Sequence, residues 1–140
     1  MLTETEVDRL FKQGFDRSQI VLGAVSERLG MTKEQAYAVA SCFGIGMAQG
    51  GMCGAALGAI MALGLRYGNT ESGDLMTKSQ VFDKRDEFLR RFAEMNGKTS
   101  CPELLDGELT PSMKSWCSAP WICSENARDT VSMPSGYWRT

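Results

Sequence analysis

The stretch GGMCGAALGAIMALGL, residues 50–65, constrains the fold more than any other part of the chain. Its apolar residues do not alternate as in a strand, and they predict a buried helix from about Met52 to Tyr67. Gly54 and Gly58 are four residues apart, so they share one face of that helix. Because neither carries a side chain, a second helix can pack very near this face. The stretch therefore predicts a tight helix crossing in the core.

The same apolar run is too short to cross a membrane. It has about 14 residues, whereas a span needs roughly 20, and Arg66 ends it. We therefore expect that this stretch is not a membrane span and that the protein does not associate with a membrane. The N-terminus MLTETEVDRLF is acidic and has no signal-like apolar region, which predicts a reducing, cytoplasmic location. In that compartment cysteines are more often reactive thiols or metal ligands than structural disulfides.

Helical patterns extend over most of the chain, and no segment alternates as a strand would. Thr3 with Glu6, and Thr32 with Gln35, have capping-box spacing, while Asp16 or Ser18 could cap a helix between them. We therefore predict an all-α fold, a compact multi-helix bundle that forms a single domain over residues 1–140. The predicted inner face of the second helix is Ile20, Val21, Ala24, Val25 and Leu29.

A longer helix is predicted from Leu75 to Met95, ended by Gly97. Its apolar residues recur at helical spacing, which predicts one buried face. The predicted inner positions are Val81, Phe82, Phe88, Leu89, Phe92 and Met95.

The composition changes at residue 98. All four prolines, all three tryptophans and three of the five cysteines follow it. We predict an irregular Cys/Trp-rich C-terminal segment with short helices near 102–106 and 122–131. Its aromatic residues are interpreted as an arm packed on the bundle or as a subunit contact, which is compatible with a homodimer, and a ligand pocket is the alternative. They are Trp116, Trp121, Tyr137 and Trp138.

The chain contains no histidine, and this narrows the chemistry more than any other count. The absence excludes Ser-His-Asp and Cys-His nucleophiles, histidine metal sites and histidine-ligated haem. The net charge of -2 gives no reason to expect nucleic acid as a partner. Proton transfer must use carboxylates, Lys, Tyr, Cys or water.

Cys53 is the leading candidate for a reactive group. It is predicted in the first turn of the apolar helix, where free N–H groups and the helix dipole favour an anion. Such a position makes a thiol more nucleophilic, and the adjacent glycines let another group approach the sulfur. The alternative is a small buried cysteine in a tight helix crossing. Because the cysteines number five, at least one thiol stays unpaired.

Three short stretches follow one another in a distinctive order: Cys53-Gly54-Ala55-x-x-Gly58 with AIMALGL, then CPELL, then CSENA. This order resembles a family of redox-active proteins named for its C…GCAxxG…C…C motif. It implies an α-helical domain with clustered cysteines and a redox or metal-cluster role. Cys53 matches the central cysteine of the motif, Cys101 the third and Cys123 the last.

The chain departs from the family at the first motif cysteine. That residue normally precedes a stretch that here reads Ser18-Gln19-Ile20-Val21, and Arg17 takes its place. Cys42 or Cys117 could substitute as a ligand, or the site is degenerate. Arg17 could instead bring a positive charge near the remaining thiols and favour their thiolates. Haem is not expected, because Cys-x-x-Cys-His is absent.

Three functions remain open at this point. The first is a thiol redox protein in which Cys53 is the nucleophile, Cys101 or Cys123 resolves, and a redox protein or a small thiol is the partner. The second is a metal or iron–sulfur module that uses Cys53, Cys101, Cys117 and Cys123. The third is a non-catalytic binding or oligomeric protein with a degenerate site. The first requires the thiols of residues 53, 101 and 123 to meet in one cavity.

Overall fold

A computed structural model describes residues 2–47 and 49–104 of the chain. Within these residues the only β-structure is an isolated antiparallel bridge between Met52 and Ser100, so the all-α prediction is confirmed. Short 3-10 helices form at Ser26–Leu29 and Gly44–Gly46. The α-helices are α1 Glu4–Lys12, α2 Arg17–Val25, α3 Lys33–Ala40, α4 Gly54–Tyr67, α5 Leu75–Asn96 and α6 Cys101–Leu104.

Side-chain caps fix where the first three helices begin. The side chains of Thr3, Asp16 and Thr32 accept backbone N–H groups of the first turns of α1, α2 and α3. Each helix also has a Glu or Gln three residues after the cap that bonds back to the cap's own N–H, which completes a capping box. Both capping boxes predicted from sequence are confirmed, and the cap of α2 is Asp16.

The close helix crossing lies between α2 and α4. A Cβ built on Gly58 would lie 2.6 Å from the carbonyl oxygen of Ser18, and one built on Gly54 would lie 3.3 Å from the Ser18 nitrogen. The two backbones therefore approach each other where α4 has no side chains. This is the tight packing predicted from the small residues of the α4 stretch.

The helix α5 covers α4 with only part of its length. Phe88 and Phe92 are buried and pack with α4 and Val21. The predicted inner positions Phe82 and Met95 are wrong, because their side chains are 45% and 54% exposed. At 1.5 Å per residue, α5 is about 33 Å long and α4 about 21 Å. The longer helix α5 therefore extends past the end of α4.

The helix α2 is buried over most of its circumference. Leu22, outside the predicted inner face, is 0% exposed, whereas Ala24 lies on the exposed side. The reason is that α1, α3 and α4 all contact α2, so a one-sided pattern does not describe it. None of the described helices has the length and hydropathy that crossing a bilayer requires.

Candidate functional site

The isolated bridge brings two distant cysteines together. The N–H of Cys53 donates to the carbonyl oxygen of Thr99 over 2.8 Å, and the N–H of Cys101 donates to that of Gly51 over 2.9 Å. Met52 therefore lies opposite Ser100. Two short extended segments, one before α4 and one before α6, hold each other through these bonds.

The register of the bridge places both cysteines on one side of it. Side chains alternate along extended backbone, so Cys53 and Cys101 lie on the side opposite Met52 and Ser100. They are diagonal neighbours, for which a regular ladder gives Cα atoms about 7–8 Å apart. A disulfide needs a Cα separation of about 4.4–6.8 Å. The ladder spacing is longer than this range, so a bond between the two sulfurs requires the bridge to shift.

Cys53 is the N-cap residue of α4 rather than part of its first turn. Its φ of -57° and ψ of 134° are extended, and α4 begins at Gly54. The first-turn prediction is therefore wrong by one residue, because the bond to Thr99 keeps this backbone extended. The thiol makes no capping hydrogen bond. It stays at the positive end of a 14-residue helix.

Arg17, which replaces the first motif cysteine, lies beside these thiols. Its side chain is 5% exposed, and its guanidinium lies close enough to Cys101 to lower the pKa of that thiol. Arg17 begins α2, and the crossing with α4 holds it here, since a Cβ on Gly54 would lie 3.7 Å from the Arg17 Cβ. The guanidinium carbon is 5.9 Å from the centre of the Phe11 ring. One cation and two thiols thus share a buried site.

The environment of Cys101 has opposing electrostatic effects. Burial raises the pKa of the Cys101 thiol, and the charge and hydrogen bond of Arg17 lower it, while Cys53 adds to the increase. Burial is the largest of these effects. Cys101 is therefore a protonated thiol at neutral pH, held next to a cation that stabilises its anion when the proton leaves.

Both thiols are shielded from solvent. Cys53 and Cys101 are each 1% exposed, and neither they nor Cys42 is in a disulfide. Cys42 is exposed, so it does not join the buried pair. Cys117 and Cys123, together with the predicted 122–131 helix and the C-terminal aromatic residues, lie outside the described residues.

The carboxyl group of Asp16 is a half-buried polar group next to Arg17 in the sequence. It accepts from the Ser18 and Gln19 N–H groups, and burial raises its pKa against the effect of those bonds. The Ser18 hydroxyl contacts Asp16 and lies 2.9 Å from the Ala40 carbonyl oxygen. A Cβ on Gly44 would lie 2.5 Å from Asp16 Oδ2. Sequence reasoning identified Asp16 only as a cap.

The turn before Cys53 contains strained backbone. Ile45 and Met47 have φ angles of 54° and 58°, in the left-handed region that a β-branched residue such as Ile45 avoids. A Cβ on Gly46 would lie 2.5 Å from the Gly51 nitrogen. The turn therefore folds tightly onto the residue that accepts the Cys101 N–H.

The described residues do not by themselves fit a metal or iron–sulfur site. Residues 2–47 and 49–104 contain no group of three or more Cys, Asp or Glu side chains placed to hold an ion. Arg17 stands where the family motif has its first thiol, and a guanidinium is a cation that cannot ligate. Two thiols beside a cation are fewer ligands than a tetrahedral site needs.

Comparison with known proteins agrees with the cysteine order. A family model described as "Putative redox-active protein (C_GCAxxG_C_C)" matches residues 15–134. Neither a search of curated proteins nor a search of solved structures found a match. The matched range contains Arg17, both buried cysteines and the α2–α4 crossing. The chain belongs to the C_GCAxxG_C_C family of redox-active proteins.

Proposed function

We propose that this protein works as a dithiol redox protein in which Cys53 and Cys101 form one two-electron couple. The observation that carries the proposal is that the bridge holds two buried thiols on one side, with the buried Arg17 guanidinium near one of them. A second sulfur within reach is what converts a single thiol into a reversible couple. Membership in a redox-active family supports the same reading.

The roles of the two thiols follow from their surroundings. Cys53 is assigned as the nucleophile because it lies at the N-terminus of α4, the positive end of that helix. Cys101 is the resolving thiol. It loses its proton, and its sulfur bonds to the Cys53 sulfur. Oxidation removes two electrons and two protons as the sulfur–sulfur bond forms. An external dithiol reverses it, because its two thiols donate the electrons and protons and become a disulfide.

Arg17 stabilises the anionic step of this couple. Cys101 must lose its proton in a site where burial opposes a negative charge. The Arg17 guanidinium lies near that sulfur and offsets part of the cost. In this reading the substitution at the first motif position changes a candidate ligand into a charge that favours thiol chemistry.

The test is an equilibrium redox titration of the whole protein. Reduced protein is incubated without oxygen in dithiol/disulfide buffers of defined ratio until no further change occurs, then alkylated and digested with trypsin for mass spectrometry. Trypsin leaves Cys53 on the same peptide as Cys42, whereas Cys101 lies on residues 99–114. The Cys42→Ser variant therefore serves as background, since it leaves Cys53 and Cys101 as the only thiols of their respective peptides.

Three results would support the proposal together. Cys53 and Cys101 lose alkylation with one shared midpoint, a cross-linked peptide joins them, and Cys53→Ser leaves Cys101 reduced. Independent midpoints, or full alkylation of both thiols at every ratio, would contradict it. A metal or iron–sulfur chromophore that stays bound through anaerobic purification and protects both thiols from alkylation would instead support a metal or iron–sulfur binding function.

A further inference from the structure

The burial of the two thiols limits which oxidants can reach them. Cys53 and Cys101 are each 1% exposed, and Arg17 is 5% exposed. The only exposed cysteine among the described residues is Cys42. A thiol in such a position reacts only with a molecule small enough to enter, or after the surrounding helices separate.

Cys53 is buried, and backbone packs closely around the residues of α4 that follow it. The next residue, Gly54, is so close to the neighbouring backbone that a Cβ would lie 3.1 Å from the Phe43 carbonyl oxygen. At Gly58 the clearance from Ser18 is smaller still. When Cys53 attacks an external disulfide, one thiol group of the reagent becomes bonded to the Cys53 sulfur as a mixed disulfide, and the other leaves as a thiolate. Oxidation by a peroxide adds a single oxygen atom.

The charge at the site suits a peroxide as well. When a thiolate attacks a peroxide, the leaving oxygen carries negative charge until a proton reaches it. The chain has no histidine to supply that proton. Cys101 is a protonated thiol beside Arg17, so a proton donor and a cation lie next to the reacting sulfur.

From this geometry we propose that a small hydroperoxide, with hydrogen peroxide as the probe, is the oxidant that the Cys53–Cys101 site admits. The inference rests on the couple proposed above and names its oxidant. A buried sulfur pair, enclosed by backbone contact between α2 and α4 and adjacent to a guanidinium, accepts one oxygen atom more readily than a bulky thiol group.

The reaction balances with the groups of the site. The Cys53 thiolate attacks one oxygen of H2O2, the O–O bond breaks, and Cys53 becomes a sulfenic acid. The leaving oxygen takes the Cys101 proton and departs as water. The Cys101 thiolate then attacks the Cys53 sulfur, the S–O bond breaks, and hydroxide leaves as the disulfide forms. The peroxide gains the two electrons that the two thiols lose.

The experiment compares two thiols of one protein under two oxidants. Reduced wild-type protein is mixed with hydrogen peroxide or with the disulfide of glutathione, and alkylation mass spectrometry follows Cys42 and Cys53. Digestion with a second protease separates the two cysteines. We expect peroxide to oxidise Cys53 at least about tenfold faster than Cys42, and the disulfide to modify Cys42 at least about tenfold faster than Cys53. In Cys101→Ser, dimedone should trap a sulfenic acid on Cys53.

The outcomes separate this inference from the proposed function. If the equilibrium couple forms but glutathione disulfide oxidises Cys53 as fast as peroxide does, the inference is wrong and the couple stands. If Cys53 and Cys101 do not pair at equilibrium, the proposed function itself fails. Arg17→Met should slow the peroxide step about tenfold or more, with partial recovery in Arg17→Lys, and an unchanged rate in both would contradict the role given to the charge. The wild-type comparison needs neither variant to fold.

Discussion

The contact between Gly58 and Ser18 makes the α2–α4 crossing directly testable. Replacing Gly58 by Ala adds a Cβ at 2.6 Å from the Ser18 carbonyl oxygen and 3.2 Å from its Cα. Both are backbone atoms, so no side chain can rotate away. Ordinary contact requires the helices to separate locally by roughly 0.8 Å, and overpacking of this kind costs about 1–3 kcal/mol.

Gly64→Ala is the matched control in the same helix. A Cβ at Gly64 meets nothing within 4 Å, and the residue is exposed. Alanine is favoured over glycine inside a helix by about 0.8–1.0 kcal/mol, so this variant should be more stable than the wild type. The same propensity gain acts at Gly58, and the difference between the two variants isolates the steric cost.

Urea unfolding followed by circular dichroism measures that difference. We expect Gly58→Ala to have a free energy of unfolding about 1–3 kcal/mol lower than that of Gly64→Ala, with similar m values. A difference below about 0.5 kcal/mol would mean that α2 and α4 are not in backbone contact. The argument that the site excludes bulky groups would then lose its support.

Three further predictions concern the core and the thiols. Ser18→Ala removes the hydroxyl that bonds the buried Ala40 carbonyl, and urea unfolding should show a loss of about 1–3 kcal/mol, whereas no loss would refute that bond. Phe92→Ala should cost about 3–5 kcal/mol and the exposed Phe82→Ala much less, and equal losses would show that α5 packs differently. Because burial raises the pKa of Cys101 above the unfolded value of about 8.5, the unfolded state loses its proton first and stability should fall as pH rises past that value. Cys101→Ala should remove that part of the slope, and an unchanged slope would place the titration elsewhere.

Local signals predicted the helix starts and the close crossing well. Thr3 and Thr32 begin helices because their side chains satisfy N–H groups that any helix leaves free, and this depends only on neighbouring residues. Gly58 faces α2 because only a residue without a side chain permits that approach. The prediction that Arg17 brings a charge to the thiols rests on the family pattern, and it agrees with the effect of Arg17 in lowering the pKa of Cys101.

Features that depend on distant residues were not predictable from local patterns. The pairing of Met52 with Ser100 joins one residue of each segment, and no periodicity marks so short a contact. Phe82 follows the helical spacing of the buried residues, yet its side chain is 45% exposed. Its ring is instead 4.4 Å from the Arg85 guanidinium carbon. Periodicity indicates which face of a helix is apolar, but not how much of that face neighbouring elements cover.

The Met52–Ser100 bridge also determines what oxidation would do to the molecule as a whole. A covalent link between Cys53 and Cys101 would close a ring of roughly 50 residues that contains all of α4 and α5. Restricting the unfolded chain in this way is worth up to about 4 kcal/mol in the chain-entropy model. The oxidised protein should then melt well above the reduced one, so a calorimeter could report the redox state of the two sulfurs without any thiol reagent.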